Sequence, residues 1–334
     1  MSSHPMEAVL ARMRAVLRGL QGPGGELLRA MLSHHLGWEE QAPEAMGKLV
    51  RPRLCLLACE AVGADPAAAV PAAAAVQLIH DFSLIHDDIE DRDEVRRGRP
   101  TVWKRWGEAQ AINAGDCMYS LAYAALSDPD PTSAAGARLL RAVAILSEAC
   151  VRLCEGQSHD LALHDQPTVL RAEYLDMIGR KTAALISCAA QMGALLGGAD
   201  DDVTDAFRDF GFQLGLEFQI RDDILGIWGD PGKTGKPVGA DLSRKRCSCP
   251  VVCALERAQG EEREAILAVR REPSAESIAG AVAALERLGA REEAEKLAAQ
   301  AHQRAWSALE PLRLEPRATR ELRELAGFLT ARQR

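Results

Sequence analysis

Two short stretches decide the fold and point to the chemistry: residues 84–91 read LIHDDIED, and residues 218–225 read FQIRDDIL. In both stretches, aspartates stand beside leucine, isoleucine or phenylalanine, which are core-forming residues. Carboxylates beside a core are costly unless a positive charge neutralises them. Hard Mg²⁺ ions that carry a phosphate-bearing substrate fit that role. The two stretches therefore predict a pair of metal-binding motifs rather than surface charge.

Apolar residues recur at helical spacing along most of the chain, whereas the alternation typical of strands is nearly absent. Breaks that contain Gly and Pro separate the helical stretches, and none of them has the length of a linker. We therefore predict an all-α chain that forms a single domain over residues 1–334. The predicted helical segments are 5–19, 25–36, 50–62, 68–91, 107–127, 133–163, 168–197, 202–228 and weaker stretches in the C-terminal third.

Composition limits the possible functions. A hydrophobic fraction of 47% argues against disorder, and a net charge of −8 disfavours nucleic acid as a partner. No apolar stretch approaches the roughly 20 residues needed to cross a bilayer, and the first residues lack the pattern of a signal peptide. Nine irregularly spaced cysteines fit a reducing compartment. We therefore expect a cytoplasmic protein without stable membrane insertion.

Two further clusters are given structural roles. Cys247, Cys249 and Cys253 could bind a soft metal, but no second cluster completes four ligands, so small buried thiols are favoured. The triplet Asp200 to Asp202 precedes an apolar-periodic run. Carboxylates in the first turn of a helix complement its dipole, so capping is favoured over metal binding.

The spacing of the first acidic motif suits a metal. Residues four apart lie on one face of a helix, separated by about 6 Å along its axis. Asp87 and Asp91 can therefore hold one ion while Asp88 leans to the flank, and most of an octahedral shell is left for water and phosphate oxygens. The alternative is that both motifs are surface acids paired with arginines. Two motifs that are both accompanied by bases make that alternative weaker.

Basic residues follow each motif and form a third cluster upstream of both. Arginine forks suit phosphate oxygens, and a Gly between arginines lets the chain turn tightly. Together the bases indicate that more than one phosphate group is held. They are Arg96, Arg97 and Arg99 after the first motif, Lys233, Lys236, Arg244, Lys245 and Arg246 after the second, and Lys48, Arg51 and Arg53 upstream.

Between about residues 47 and 250 the order and spacing of these motifs resemble the trans-isoprenyl diphosphate synthases. The resemblance implies a single large antiparallel helical bundle around a deep central cavity, usually as a homodimer. It also implies that about three Mg²⁺ ions per active site bridge an allylic diphosphate to the two acidic motifs. The matching runs are Gly47-Lys48-x-x-Arg51-Pro52, residues 78–101, Lys181-Thr182, Phe218-Gln219-x-x-Asp222-Asp223 and Gly235-Lys236-Pro237-x-Gly239-x-Asp241.

The resemblance also assigns roles residue by residue. The implied metal ligands are Asp87, Asp88, Asp91, Asp222 and Asp223. The allylic diphosphate would be held by Arg96, Lys181 and Lys236, and the diphosphate of isopentenyl diphosphate by Lys48, Arg51, His80 and Arg97. Thr182 and Gln219 would face the reacting carbons, where their dipoles stabilise a developing cation.

The second motif departs from the pattern, because its usual third aspartate is replaced by Gly226. Asp222 would then carry most metal binding on that helix, with Asp230 as a poorly placed substitute. Metal affinity on this side is therefore the open question. A Lys expected before the run Cys247-x-Cys249-Pro250 is replaced by Arg246, which keeps the charge.

Product length is expected to depend on the side chains one or more turns before Asp87. Phe82 lies five residues earlier, about 7.5 Å down the helix axis, and is followed by the small Ser83. A single aromatic floor at this place resembles enzymes that stop at geranylgeranyl (C20) diphosphate. The alternative is that Phe82 only fills a helix interface, as aromatic residues often do.

Two other functions remain open at this point. A class I terpene cyclase on the same scaffold would need an aromatic-lined cavity, yet aromatic residues make up only 4% of the chain. It would also leave Lys48, Arg51 and Arg97 unexplained. A non-catalytic subunit of a heteromeric prenyl synthase is suggested only by Gly226. It would more often lack the first motif or the basic clusters, which are intact here.

Overall fold

The computed structural model describes residues 3–38, 48–127, 134–164, 166–229, 239–244 and 246–330, and they are mostly helical. The predicted all-α class is confirmed. The helices are α1 (Ser3–Arg18), α2 (Gly22–His35), α3 (Val50–Ala61), α4 (Val70–Glu90), α5 (Val102–Trp106), α6 (Glu108–Ala125), α7 (Ala134–Leu163), α8 (Arg171–Ile178), α9 (Ala184–Leu196), α10 (Asp201–Trp228), α11 (Ala240–Ser243), α12 (Cys249–Leu255), α13 (Gly260–Arg271), α14 (Ala275–Arg287), α15 (Ala290–Leu309) and α16 (Pro316–Thr330).

Backbone contacts divide the chain into two compact units, each built from three segments. Unit 1 comprises Met1–Ser147, Cys188–Asp205 and Arg313–Leu322. Unit 2 comprises Glu148–Ser187, Ala206–Leu312 and Arg323–Arg334. The first acidic motif belongs to unit 1 and the second to unit 2. The single domain inferred from the sequence stays a prediction.

Helix α4 is the central element of unit 1 and packs against α1, α3 and α6. The four alanines from Ala72 to Ala75 are fully buried, so the helix backbones can approach closely. Its last residues form a Schellman motif, in which the amide of Asp93 donates to the Asp88 carbonyl at 3.0 Å. Arg92 takes the left-handed position of that motif with a φ of 56°, where glycine is the usual residue.

A small β-hairpin follows α4, which the sequence pattern did not predict. Strand β1 (Val95–Arg96) pairs antiparallel with β2 (Arg99–Pro100). The two residues between them, Arg97 and Gly98, have φ values of 52° and 76°. Positive φ at both central residues is the signature of a type I′ turn, which matches the twist of the strands. The hairpin thus turns the chain within two residues and carries Arg96 and Arg97.

Helix α8 continues into a π-helical turn over Gly179–Ala183 before α9 begins. The predicted helix over 168–197 is therefore interrupted. The backbone of the turn lies against two glycines of other helices: a Cβ on Gly156 of α7 would meet Lys181 N at 2.2 Å, and one on Gly215 of α10 would meet Ala183 Cα at 2.5 Å. Single π turns inside α-helices are often found at functional sites. This one carries Lys181 and Thr182.

The rest of unit 2 surrounds the C-terminal half of α10. Ile220 and Ile224 of α10 pack with Tyr174 of α8, with the thiols of α12 and with the small residues Ala294 and Ala298 of α15. The sulfur atoms of Cys249 and Cys253 are 3.9 Å apart in this core. The three cysteines at 247, 249 and 253 are all buried, as predicted.

At the other end of α10, Asp200 caps the helix. Its Oδ1 accepts a hydrogen bond from Val203 N at 2.9 Å. This confirms the capping role given to the triplet.

One sequence expectation about membranes needs correction. The 25-residue stretch Pro66–Glu90, which includes α4, is long and apolar enough to cross a bilayer by length and composition. Within its most apolar window, 67% is buried inside the protein, as in a core helix. Its apolar character is therefore accounted for by its place in unit 1.

Candidate active site

The first motif presents two carboxylates and buries the third. Asp87 and Asp91 are partly exposed at the end of α4, one helical turn apart. Asp88 is only 1% exposed, and its Oδ1 accepts a 2.6 Å hydrogen bond from Arg96 Nε. Burial raises the pKa of Asp88, and the Arg96 guanidinium opposes that shift. Asp88 therefore leans to the flank of the motif, as expected, and fixes Arg96 of the hairpin.

About two turns earlier in α4, Asp81 organises a second group of charges. It is 1% exposed, and its Oδ2 accepts a 2.6 Å hydrogen bond from Gln77 Nε2. His35 Nε2 and Arg97 Nη2 lie 3.6 and 3.8 Å from its Oδ1. Burial alone would raise the pKa of Asp81, but the neighbouring His35 side chain and the charge of Arg97 lower it to about 2. Asp81 thus stays ionised and holds Arg97 in place.

His80 lies in a strongly positive environment. Burial lowers its pKa well below the ordinary value, and the charges of Arg51, Arg97 and Arg96 lower it further. The imidazole is therefore neutral beside a cluster of cations. The bases predicted around His80 are brought together by unit 1, where their combined charge favours an anion such as a diphosphate. Lys48, the fourth predicted base, lies just before α3.

Side chains of α2 and α5 fix the hairpin from behind. His34 Nε2 donates to the Pro100 carbonyl at 2.8 Å, and its Nδ1 accepts from Arg105 Nη1 at 3.0 Å. Arg99 Nη2 donates to the His35 carbonyl at 3.2 Å. The hairpin is therefore anchored through its second strand, which holds the left-handed conformation of Arg97.

In unit 2, Asp222 and Asp223 differ sharply in environment. Asp222 is partly exposed on α10. Asp223 is only 6% exposed. Its Oδ2 accepts from Tyr174 Oη at 2.5 Å and from Cys249 N at 2.8 Å, and its Oδ1 accepts from Gln219 Nε2 at 2.8 Å. Burial raises the pKa of Asp223 to about 7, the charge of Asp241 adds to the shift, and the three hydrogen bonds oppose it.

Thr182 and Gln219, predicted to face the reacting carbons, are joined in unit 2. Thr182 Oγ1 donates to Gln219 Oε1 at 2.8 Å, and both residues are partly exposed. The neighbouring Lys181 Nζ donates to Asp160 Oδ2 at 2.5 Å. Lys181 is therefore held by a carboxylate of α7.

The space of the missing third aspartate is filled by another carboxylate. A Cβ on Gly226 would lie 1.8 Å from Asp241 Oδ2 and 2.4 Å from its Cγ. Asp241 belongs to α11 and is 7% exposed. Gly226 is thus required by the close approach of Asp241. The predicted site residue Lys236 and the suggested substitute Asp230 lie outside the described residues.

Phe82 belongs to an aromatic group of α4 and α6. It is 8% exposed, and its ring makes edge contacts with Tyr119 at 5.3 Å and His86 at 5.4 Å between centroids. Tyr119 Oη is 3.1 Å from Tyr123 Oη, one turn further along α6. The hydroxyl of Ser83 donates to the His80 carbonyl at 2.8 Å and so faces its own helix.

The carboxylates of the first motif can hold a metal ion that a substrate also binds. Within the described ranges, no three His, Cys, Asp or Glu side chains come close enough to enclose an ion. Mg²⁺ that carries a phosphate needs only one or two protein carboxylates, which Asp87 and Asp91 supply. Asp88 Oδ2 is moreover buried without a hydrogen-bond partner among the described residues, which suits a nearby cation or bound water. The first motif fits a substrate-bridged ion rather than a preformed protein cage.

Four residues that contact predicted site residues were given no role by the sequence. Asp81 and Asp160 hold predicted bases, Tyr174 holds Asp223, and Asp241 fills the place beside Gly226. Tyr174 and Asp223 are 49 positions apart, and no local pattern joins them. Asp241 lay within a quoted motif, but its partner could not be read from spacing.

The profile of the Polyprenyl synthetase family matches residues 39–285. The chain belongs to this family. A short chain isoprenyl diphosphate synthase from Methanothermobacter thermautotrophicus is 41% identical to this chain over 289 residues, which are 86% of this chain and 87% of that protein. A (2E,6E)-farnesyl diphosphate synthase from Mycobacterium bovis is 47% identical over 228 residues, 67% of this chain and 62% of that protein.

A solved structure extends the likeness to the whole chain. The crystal structure of geranylgeranyl pyrophosphate synthetase from Pyrococcus horikoshii has a TM-score of 0.87 and 32% identity, and the match covers 98% of the synthase and 97% of that chain. The synthase therefore has the all-α isoprenoid synthase fold and is a chain-elongating trans-prenyltransferase. This favours elongation over both the cyclase and the non-catalytic subunit.

Proposed function

We propose that the synthase is Mg²⁺-dependent and condenses isopentenyl diphosphate head-to-tail with dimethylallyl, geranyl or farnesyl diphosphate, with geranylgeranyl (C20) diphosphate as its main product. The observation that carries the proposal is the place of Phe82. It lies five residues before Asp87 on the same helix and is braced by Tyr119 of α6. A braced aromatic ring is a rigid floor for a growing hydrocarbon tail.

Mg²⁺, when bound, would stabilise the charge of the departing diphosphate. Asp87 and Asp91 are the residues of unit 1 that would hold it, with Asp88 behind them. Asp222 is the corresponding residue of unit 2, and the carboxylate of Asp241 lies where the usual third aspartate is missing. Charge on that side of the second motif is thus retained despite Gly226.

The side chains of the synthase would do the rest of the work. Arg51, His80 and Arg97, with Lys48, would hold the diphosphate of isopentenyl diphosphate. Lys181 would exchange Asp160 for the allylic diphosphate, with Lys236 and Arg96. Exclusion of water from an apolar pocket protects the allylic cation, which the isopentenyl double bond then attacks. Proton loss to the departing diphosphate completes the new alkene.

The proposal includes a homodimer, which the resemblance implies, and a cytoplasmic location, which the composition indicates. All nine cysteines are free thiols, which suits a reducing compartment. Light scattering of the purified synthase tests the assembly, and a monomer that is fully active would overturn this part.

The product assay uses the purified synthase with Mg²⁺, isopentenyl diphosphate and each allylic primer in turn, followed by sizing of the products. We expect C20 diphosphate from every primer. Phe82→Ala should lengthen the product because Ala75 and other small residues lie farther down α4. Phe82→Leu is the matched control, since it keeps most of the volume and should keep C20 dominant. An unchanged product profile in Phe82→Ala would refute the floor.

Catalysis and product length are tested separately. Cyclic hydrocarbons or the absence of turnover would overturn the proposed reaction, whatever Phe82 does. Removal of Mg²⁺ with a chelator should abolish turnover, and restoration by added Mg²⁺ is the control. Activity that survives chelation would overturn the metal dependence.

A further inference from the structure

The sequence pattern assigns Asp223 to the metal, but its contacts point elsewhere. Its two oxygens accept three hydrogen bonds from the protein, and it is 6% exposed. Its neighbour Asp222 is partly exposed. A metal ligand needs an accessible oxygen, whereas a buried acceptor with three donors is suited to orienting them.

The donors follow one another in a directed chain. As a carboxylate, Asp223 only accepts hydrogen bonds, so the amide group of Gln219 that faces it must be the NH₂. The carbonyl end of Gln219 then faces Thr182 and must accept the hydroxyl proton. The Thr182 proton is therefore committed inward, and the oxygen lone pairs are left for the open side.

Tyr174 and Cys249 fix the origin of this chain. The Tyr174 hydroxyl and the Cys249 amide both donate to the same oxygen of Asp223. Neither donor can reverse, because a backbone amide only donates and the carboxylate has no proton to give to the tyrosine hydroxyl. The other oxygen of Asp223 is consequently directed at Gln219.

We infer that Asp223 is a positioning residue, which fixes the polarity of the Gln219 amide and thereby turns the lone pairs of the Thr182 oxygen outward. The inference deepens the proposed function and rests on it, because it concerns the sign of the dipole that meets the allylic cation. An oxygen lone pair stabilises a developing positive charge, whereas an outward O–H would oppose it.

Asp223→Asn is predicted to reverse the direction of the hydrogen bonds from Asp223 through Gln219 to Thr182 without breaking any of them. The Asn oxygen keeps the hydrogen bonds from Tyr174 and Cys249, so its NH₂ faces Gln219. The Gln219 amide must then turn over and donate to Thr182, whose proton points outward. We expect kcat to fall about 100-fold, while KM for isopentenyl diphosphate stays within about 2-fold.

Gln219→Glu supplies the matching change. Alone it sets two carboxylates face to face, so we expect it to lower both kcat and Tm, the latter by about 3 °C. Combined with Asp223→Asn, the new Glu accepts from Asn on one side and from Thr182 on the other, which restores the original polarity. We expect the double variant to recover kcat to within about 5-fold of the wild type.

The metal assignment is tested in the same set of proteins. Asp222→Asn, the control for a true ligand, should raise the Mg²⁺ concentration for half-maximal activity about 10-fold or more. Asp223→Asn and the double variant should keep the wild-type value within about 2-fold. A rise in both proteins that carry Asp223→Asn, or a double variant no faster than Asp223→Asn alone, would overturn the inference.

The inference can fail separately from the proposed function. If the wild type makes no prenyl product, the proposed function is wrong, and thermal unfolding still tests the hydrogen-bond chain. If the hydrogen-bond chain is correct, adding Asp223→Asn to Gln219→Glu restores the Tm that Gln219→Glu loses alone. If the double variant loses the sum of the Tm losses of the two single variants, the hydrogen-bond chain is refuted. The wild type, the two single variants and the double variant are all measured at the same pH.

Discussion

Asp81 of unit 1 and Asp223 of unit 2 are both buried aspartates that accept hydrogen bonds, yet their pKa values lie on opposite sides of the ordinary value. The pKa of Asp81 is lowered to about 2 and that of Asp223 is raised to about 7. Asp81 lies near the cation Arg97 and the imidazole of His35. Asp223 is held by a hydroxyl, a side-chain amide and a backbone N–H, all neutral.

The difference shows that the kind of partner matters more than the number of hydrogen bonds. Neutral donors orient a carboxylate but do not offset the cost of burying its charge. Cations offset that cost but leave a net attraction that fixes them in place. In unit 1, Asp81 therefore holds the base Arg97 in place. In unit 2, Asp223 orients the side-chain amide of Gln219.

The largest expected effect is the loss of stability when Asp81 is neutralised, and neutralising Asp223 is the matched comparison. Asp81→Asn removes the counter-charge of Arg97, so we expect the free energy of unfolding to fall by about 3–5 kcal/mol. Asp223→Asn removes a buried charge while every donor keeps a partner, so we expect no loss greater than about 1 kcal/mol. Urea unfolding at neutral pH measures both. Equal losses of unfolding free energy in the two variants would show that the two aspartates do not differ in this way.

The pH dependence of stability should have opposite signs in the two variants. Because the folded pKa of Asp81 is below its ordinary 3.8, the stability that Asp81 adds is complete above 3.8 and is lost as the pH falls through about 2. Relative to Asp81→Asn, the wild type should lose about 2 kcal/mol over that interval. Because the folded pKa of Asp223 is raised, the wild type should lose stability relative to Asp223→Asn as the pH rises from 3.8 to about 7.

Unfolding midpoints of the three proteins at a series of pH values check both signs. Parallel curves for the wild type and Asp223→Asn between those two pH values would show that the carboxylate of Asp223 is not disfavoured by its surroundings.

The units also differ in how they fill tight positions. Close approaches in unit 2 occur at glycines, as at Gly156, Gly215 and Gly226. Left-handed positions around the end of α4 in unit 1 are occupied by Arg92 and Arg97. Unit 1 also has close approaches at glycines, as at Gly115 and Gly193, but in addition it accepts backbone strain where an arginine is presented.

Restoring the usual third aspartate should therefore harm the synthase. In Gly226→Asp the new Cβ would collide with Asp241, so we expect a loss of about 1–3 kcal/mol in unfolding free energy together with lower activity. Gly226→Ala should show the same steric loss without the added charge. The double change Gly226→Asp with Asp241→Gly should recover stability, which thermal unfolding measures. An active, stable Gly226→Asp would mean that Asp241 does not occupy this space.

The smallest effect is expected where strain is relieved in unit 1. Arg92→Gly removes a left-handed side chain at the end of α4 and should stabilise the synthase by about 0.5–1 kcal/mol. Arg92→Ala is the control, because it also removes the exposed ion pair with Glu108 but keeps the strain. The difference between the two in urea unfolding isolates the contribution of the backbone. A Gly variant less stable than the Ala variant would contradict it.

The parts that follow a local pattern could be predicted from the sequence. Helices α4 and α10 and their acidic ends follow from apolar spacing, and the bases around His80 follow from motif order. The hairpin at 95–100 could not be predicted, because two-residue strands leave no alternation and Arg97-Gly98 is not a common I′ pair.

Contacts distant in sequence were equally hidden. Nothing near Asp223 marks Tyr174 as its partner, and the π turn was signalled only by Gly156 and Gly215 inside helical patterns. Asp230 was the nearest acidic residue after Gly226, yet Asp241 fills the space, since proximity along the chain does not fix proximity in the fold. Such positions are decided by packing rather than by local propensity.

The π turn at Gly179–Ala183 has a consequence for how the enzyme can vary. It amounts to one residue more than a regular helix needs, so a deletion there would give regular α-helical hydrogen bonding and remove the local geometry of the turn. Lys181 and Thr182 would be swung away from Asp160 and Gln219 in the same event. The positions of Lys181 and Thr182 can therefore tolerate substitutions around them but no insertion or deletion. Related enzymes should keep this spacing even where their sequences diverge.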